Sequence, residues 1–422
     1  MNQKSYIPRL CDADLQLALQ SSGAVLIEGA KWCGKTSTAS KASRSVVYMQ
    51  DPDNAGAYLA MADSKPSLLL KGETPRLIDE WQMAPVLWDA VRFEVDKRGQ
   101  TGQFILTGSA VPSDNVTAHT GTGRISRLTL RPMSLFESLE SNGALSLRTL
   151  LDGNQDVEAS SELSMEEIAF ALCRGGWPAS IKHRGASALR MATDYVEAVI
   201  NYDVSRVDNV DKNPDRVRLL LRSLARNIAT SATYQTIRSD MEATDISISD
   251  KTINSYINAL RRIFVVEDLP AWSPSLRSKT AIRTSAKRHF VDPSIATAVL
   301  RTNPDGLLKD FQYFGFLFES LCTRDMRVYA QKNDGDVFHY RDKSGLESDL
   351  IVRLRDGRWA AIEVKLGKKQ IDEAAENLLT LKARIDEDKM GPASFLMVIT
   401  GGQYAYRRSD GVLVVPIACL RD

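Results

Sequence analysis

The sequence predicts an α/β protein of several domains, and three stretches carry that expectation. An apolar run from Ala24 to Ile27 feeds a glycine-bounded loop and a helix-compatible segment, the strand-loop-helix order of an α/β layer. Residues 216–292 hold two or three helical patterns and then two short strand patterns. Near the end, "GLESDLIVRLRDGRW" and "AIEVKLG" form a strand pair around a glycine turn. A chain of 422 residues suits two to four domains, each with a core of its own.

With 43% hydrophobic and 25% charged residues, the composition excludes disordered and collagen-like classes. A net charge of +1 supplies no global basic field, so any nucleic-acid contact has to come from a local patch. Five cysteines without a CxxC pair and four scattered histidines speak against a zinc site or a disulfide framework, and for a reducing compartment. No apolar run approaches the roughly 18 residues of a membrane span, and "MNQKSYIPRL" lacks a signal-peptide pattern. The expectation is a cytoplasmic protein that makes no membrane contact.

The first chemical signal is "AVLIEGAKWCGKTSTASKAS": Gly29, then Ala30, Lys31, Trp32 and Cys33, then Gly34, Lys35 and Thr36. This is GxxxxGKT between strand and helix, the phosphate loop. Its glycines let backbone N–H groups turn onto phosphate oxygens, and the helix behind offers its positive end. Lys35 would neutralise the β- and γ-phosphates of ATP and Thr36 would ligate Mg²⁺. The plainer alternative is a glycine turn that opens a helix.

A neighbouring strand should then supply a carboxylate, and "RLIDEWQ" ends in Asp79 and Glu80. Asp79 would hold Mg²⁺ through water, and Glu80 would polarise the attacking water. "QFILTGS" is a third strand, whose Thr107 or Ser109 would sense the γ-phosphate. In "GTGRISRLTLRPMSLFE", Arg124 or Arg127 would stabilise phosphoryl transfer, the alternative being a surface arginine on a strand edge.

These motifs, in this order, resemble the AAA-type ATPases, and more narrowly an uncharacterised prokaryotic group with a compact ATPase core and a tail of unknown function. "GGWPAS", "NYDVSRVD", "KRHFVDPSIATAVL", "GLESDLIV" and "AIEVK" extend the likeness over nearly the whole chain. The resemblance implies ATP binding and hydrolysis, an arginine contributed by Arg124 from the same or a neighbouring subunit, and a homo-oligomer with active sites between subunits.

Residues 139–165 are poor in large apolar side chains and rich in turn signals, which predicts a boundary or a mobile insertion. The expected domains are an ATPase domain at 1–145, a linker and helical segment at 146–215, a winged-helix-like domain at 216–300, and a C-terminal α/β domain at 301–422. In the winged-helix-like part, Ser249 caps a helix whose Lys251, Asn254 and Ser255 would take the groove-reading position on a duplex. A basic hairpin with Arg277, Lys279, Arg283, Lys287 and Arg288 would grip phosphates. The alternative is a packing module with a solvated basic turn.

In the C-terminal strand pair, alternation puts Ala361, Glu363 and Lys365 on one face and Ile362, Val364 and Leu366 on the other, giving an apolar side and a chemical side. A three-residue loop, Arg355-Asp356-Gly357, sets Asp349 opposite Glu363, and glycine at its third position suits a type I turn closed by a bulge. Asp349, Glu363 and Lys365 then converge, a donor set suited to Mg²⁺ or Mn²⁺. The arrangement resembles the PD-(D/E)xK nuclease fold. In that family an upstream helix often adds a carboxylate, and Glu319 matches the position. The proline before Asp349 is missing. Glu347 shares the face of Asp349 as a substitute ligand, and Lys368 and Gln370 would touch phosphate.

The leading expectation is an ATPase that couples nucleotide state to a nucleic-acid-handling C-terminal module, DNA being the foremost substrate and metal-dependent cleavage its possible activity. The alternative is an ATP-gated regulatory or binding protein whose nuclease-like scaffold does not cut; a third reading is remodelling of a protein partner.

Overall fold

The computed structural model describes residues 6–109, 121–207, 212–243, 248–274 and 285–422. The chain divides into two compact units, one of residues 1–132, 202–211 and 258–265, the other of 133–201, 212–257 and 266–422.

The first unit is built on a parallel sheet of β1 (Ala24–Glu28), β2 (Ser45–Tyr48), β3 (Arg76–Asp79), β4 (Phe104–Gly108) and β5 (Ile125–Thr129), in the order β2-β3-β4-β1-β5. Helices α1 (Asp12–Ser21), α2 (Lys35–Ala42), α3 (Ala55–Ser64) and α4 (Val86–Arg98) accompany it. Alternating residues of each strand enter different cores: Val25, Ile27, Leu77 and Ile105 pack with Leu15, Leu19 and Ala39, while Ala24, Leu26, Ile78 and Phe104 pack with Leu87, Trp88 and Val91. Burial on both faces explains why β1 is an uninterrupted apolar run. Because β4 lies between β1 and β3, the loop leaving β1 and the carboxylate ending β3 sit one strand apart at the same end of the sheet.

The second unit contains α5 (Met165–Arg174), α6 (Gly185–Ala198), α7 (Pro214–Arg226), α8 (Tyr234–Glu242) and α9 (Asp250–Arg262), whose last residues belong to the first unit. After α9, antiparallel bridges pair Val266 with Phe290 and Leu269 with Lys287. Then come α10 (Ser294–Leu300), α11 (Phe311–Lys332) and the strands β6 (Gly335–Arg341), β7 (Glu347–Leu354), β8 (Trp359–Lys365), β9 (Leu396–Thr400), β10 (Tyr404–Arg407) and β11 (Leu413–Pro416), with α12 (Ile371–Arg384) between β8 and β9. The sheet order is β10-β11-β9-β8-β7-β6, extended past β10 by the short strand Ala159–Ser160.

Of the two expectations for 139–165, a boundary or a mobile insertion, that last pairing corrects the second. Ala159–Ser160 joins the sheet edge, Leu145–Ser146 pairs with Leu420–Arg421, and Leu145, Leu147, Leu150, Leu151 and Val157 are buried. Few in number, these apolar residues still suffice to fix the segment, because four of them sit on a strand or short helix that meets the core and Val157 is buried beside the paired edge strand.

Further ties run from α11. The guanidinium of Arg324 lies 2.8 Å from Asp292 Oδ2 and 2.7 Å from Asp325 Oδ1. Asp325 also accepts the Leu135 N–H, and Asp292 the Gly176 N–H. The "GGWPAS" and "HFVDPS" segments are thus held to α11 by a buried, fully paired charge cluster, the condition under which buried ions are tolerated.

Candidate functional sites

The first site begins where β1 ends. Gly29 has φ +151°, and a Cβ there would fall 2.1 Å from the Leu130 carbonyl oxygen, so the loop passes where only glycine fits. Trp32 and Gly34 are also left-handed, at φ +65° and +105°; a non-glycine residue so placed marks a loop over-determined by its surroundings. Gly29, Ala30, Lys31, Trp32, Cys33 and Gly34 form the turn, and Lys35 and Thr36 open α2.

Supports unforeseen in the sequence hold this loop. Buried Arg9 donates to the carbonyl oxygens of Cys33, at 2.9 Å, and Arg131, at 2.8 Å. Lys31 pairs with Asp203 at 2.5 Å. Both partners lie far from the loop in sequence and in segments without a recognisable chemical motif.

The chemical groups are close together. Thr36 Oγ1 donates to Asp79 Oδ1 at 2.8 Å, and Thr107 Oγ1 donates to the same oxygen at 2.6 Å. Gln50 Nε2 lies 3.4 Å from Asp79 Oδ2. Lys35 Nζ donates to the carbonyls of Gly29 and Ala30, at 2.9 and 2.7 Å. Glu80 is left-handed at φ +57°, and its carboxylate accepts from Ser109 Oγ at 3.0 Å and from Gln82. Thr107 and Ser109, expected to sense phosphate, here orient the two carboxylates. A hydroxyl and a buried carboxylate meeting beside the loop are hard oxygen donors that fit Mg²⁺.

Arg124 is not brought to this site by its own chain. Its carbonyl accepts the N–H of Ala24 at the start of β1, whereas the loop leaves the other end of that strand, about 15 Å away at ~3.3 Å per residue. Its side chain pairs with Asp96 at 2.8 Å. Parallel pairing of β5 with β1 puts any residue preceding β5 at the wrong end. Arg127 lies inside β5 and pairs with Glu28 at 3.0 Å.

The second site lies where β7, β8 and α11 meet. Leu354 N–H donates to Arg358 O, Gly357 has φ +97°, and β7 pairs with β8 through Ile351 and Ala361, the register of the three-residue loop. Continued by one pair past Leu350 and Ile362, that register sets Asp349 opposite Glu363. The apolar and chemical sides expected of β8 are not separated by face. Trp359 and Ala361 share the row of Glu363 yet sit in the core with Leu378 and Val398, so the chemistry is confined to the strand's last residues.

Here charges meet charges. Lys365 Nζ lies 2.7 Å from Glu363 Oε2 and 3.4 Å from Asp349 Oδ2. Asp349 Oδ2 also accepts the Val364 N–H at 3.0 Å. Lys287 Nζ lies 2.7 Å from Glu319 Oε1 and 3.0 Å from Asp349 Oδ1. Burial, and then the charge of Asp349, push Glu363 up to about 9 and Glu319 up to about 7. Burial also acts on Asp349, but Lys287, Lys365 and the Val364 N–H outweigh it and hold the carboxyl well below the usual range. Burial lowers both lysines, yet their carboxylate partners raise them above the ordinary value.

One expectation is corrected here. Lys287 and Arg288 are buried, Arg288 against Asp268 at 2.7 Å, so neither belongs to a basic phosphate-gripping surface; Arg277, Lys279 and Arg283 lie outside the described residues. Glu319, Asp349 and Glu363 meet as expected, but with an ammonium between Glu319 and Asp349. Among the described residues no group of three or more His, Cys, Asp or Glu side chains is arranged to hold a metal ion. An ammonium thus stands where Glu319 and Asp349 approach each other. Glu347 points to Arg341 at 3.2 Å instead, and Lys368 and Gln370 are exposed on a short turn.

The sheet, loop and carboxylate strand define a P-loop, ATPase-like core. Residues 21–139 match the family model of an AAA domain, and residues 165–306 and 314–420 match two domains of unknown function, DUF8612 and DUF4143. Uncharacterized proteins of Mycobacterium tuberculosis and Mycobacterium bovis are each 22% identical over 410 residues, spanning 96% of this chain and 82% of theirs. Among solved structures, a Walker-type ATPase of Pyrococcus abyssi aligns over 71% of this chain and 97% of its own at 12% identity, with a TM-score of 0.42. A STAND protein with a tetratricopeptide repeat sensor, from Pyrococcus horikoshii, aligns over 77% of this chain and 48% of its own at 14% identity, with a TM-score of 0.24. No helix among the described residues is long and apolar enough to cross a membrane.

Proposed function

We propose that this protein binds and hydrolyses ATP in its first unit and uses the nucleotide state to govern nucleic-acid recognition, of DNA foremost, by its second. The observation that carries the ATP reading is the pair of hydroxyls, Thr36 and Thr107, converging on Asp79 beside Lys35 and the glycine-bounded loop. Backbone N–H groups of 29–36 and the start of α2 bind the phosphates, and Lys35 exchanges the carbonyls of Gly29 and Ala30 for the β- and γ-phosphate oxygens. Thr36 and Asp79 hold Mg²⁺, which when bound offsets phosphate charge. Glu80, steadied by Ser109 and Gln82, accepts the proton of the attacking water.

The second unit combines a winged-helix-like set, α7 to α9 with the bridged pair behind it, and a PD-(D/E)xK-like sheet. Lys251, Asn254 and Ser255 are exposed on the Ser249-capped helix and suit contact with a duplex. Lys287 among the carboxylates favours recognition without cleavage over a metal-dependent nuclease. A homo-oligomer completes the reading, since AAA-type sites commonly lie between subunits.

The test is ATP turnover measured with and without single- and double-stranded DNA, with strand integrity followed in Mg²⁺ and Mn²⁺. We expect turnover that Lys35→Ala reduces by about 100-fold or more, together with intact DNA. Undiminished turnover in Lys35→Ala would remove the catalytic assignment; cutting that depends on Asp349 would restore the nuclease reading.

A further inference from the structure

Lys287 is built into its position. Its N–H and C=O exchange hydrogen bonds with Leu269, at 3.0 and 2.8 Å. The next residue is fixed as well, Arg288 donating to Thr230 O and accepting from Ala229 N–H. Its ammonium is therefore delivered by a clamped backbone into a buried space between α11 and β7.

An ionised carboxylate offers about four lone-pair positions. Those of Asp349 receive Lys287 on Oδ1, and Lys365 and the Val364 N–H on Oδ2. About one position on Asp349 is left for a cation. Charge points the same way: with Glu363 holding its proton at neutral pH, Asp349 and Glu319 against Lys287 and Lys365 sum to 2 − 2 = 0. A divalent ion added to the cluster would leave +2 buried, while the same ion in place of Lys287 would leave 1 + 2 − 2 = +1, which loss of the Glu363 proton brings to 0. Buried charge is tolerated when paired, so cation and lysine are alternatives.

We propose that Lys287 takes the place of a divalent cation at this cluster, so that the C-terminal site is closed by the chain's own ammonium and binds no metal. The inference rests on the non-cleaving reading of the second unit. The cluster then acts as an internal counter-ion lattice that fixes β7, β8 and α11 against the bridged pair carrying Lys287.

The test is a Mn²⁺ titration of nucleotide-free, full-length protein, following free Mn²⁺ by electron paramagnetic resonance and unfolding by calorimetry. Wild type and Asp349→Asn should take up the same Mn²⁺. Lys287→Met should take up about one further ion per chain and melt several degrees higher with Mn²⁺ than without. Lys287→Met/Asp349→Asn should lose both effects. Wild-type uptake that disappears in Asp349→Asn would overturn the inference, and so would folded Lys287→Met with no added uptake. If Lys287→Met cannot be isolated, the wild-type comparison with Asp349→Asn decides alone. Because nucleotide is absent, failure of ATP turnover leaves this result untouched; DNA cleavage that survives in Asp349→Asn would refute the non-cleaving reading without touching Lys287.

Discussion

Each of the two sites brings lysine and carboxylate together at the end of a sheet, but they dispose of the charge in opposite ways. In the first unit, Lys35 rests on neutral carbonyls, and Asp79 accepts from neutral hydroxyls and an amide. Neither charge is spent on the other, so both stay available to an anion and a cation. In the second unit, Lys287 and Lys365 lie directly on Asp349, Glu319 and Glu363. Their charges are internally satisfied. The difference teaches that residue types alone do not define a ligand site; what matters is whether the protein has already supplied the counter-charge.

The comparison breaks first at Asp79. Asp79→Asn keeps a group able to accept from Thr36 and Thr107 but removes the charge, and turnover should fall by about 100-fold or more, measured with saturating ATP. A fall of only a few-fold would mean that the first site does not depend on uncompensated charge.

A smaller effect sharpens the picture of the second site as closed and buried. His339 lies on β6 with its Nε2 3.0 Å from the Ser285 carbonyl oxygen, and burial, followed by the charge of Lys287, pushes it down to about 4. A base whose folded value is lowered contributes stability that is complete above its ordinary value near 6.5 and is lost as pH falls toward 4. His339→Gln should flatten that limb, with a wild-type-minus-variant difference of about 3 kcal/mol at most between pH 7 and 4. Taking the difference removes the contribution of Glu363, whose raised value acts in the opposite direction, losing stability as pH rises through about 9. An unchanged acid limb in the variant would show that the site is wet.

The smallest expected effect belongs to Arg124. Exposed and paired with Asp96, it should tolerate Arg124→Ala with turnover unchanged within about twofold. A loss comparable to that of Asp79→Asn would mean that Arg124 reaches the loop of a neighbouring copy.

Much of the first site was legible because its signals are local: GxxxxGKT fixes a turn and a helix start within eight residues, and Asp79 ends an apolar strand. Turn chemistry at Gly357 likewise determined which residues of β7 and β8 would face each other. Strand direction keeps Arg124 from the loop of its own chain, since a residue that opens a parallel strand is at the end opposite the loop. Lys287 was hidden for another reason. Its partners are 32 and 62 residues away on α11 and β7, and in sequence a solvated basic residue looks the same as one that, like Lys287 or Arg288, is buried. Arg9 and Asp203 likewise act on the loop through tertiary contacts that leave no local pattern.

Calorimetric titration of ATP and Mg²⁺ into nucleotide-free, folded protein tests the central claim most directly. The account predicts saturable heat at about one site per chain in wild type and none in Lys35→Ala. Flat heats from the wild-type protein, or equal heats from the variant, would contradict it.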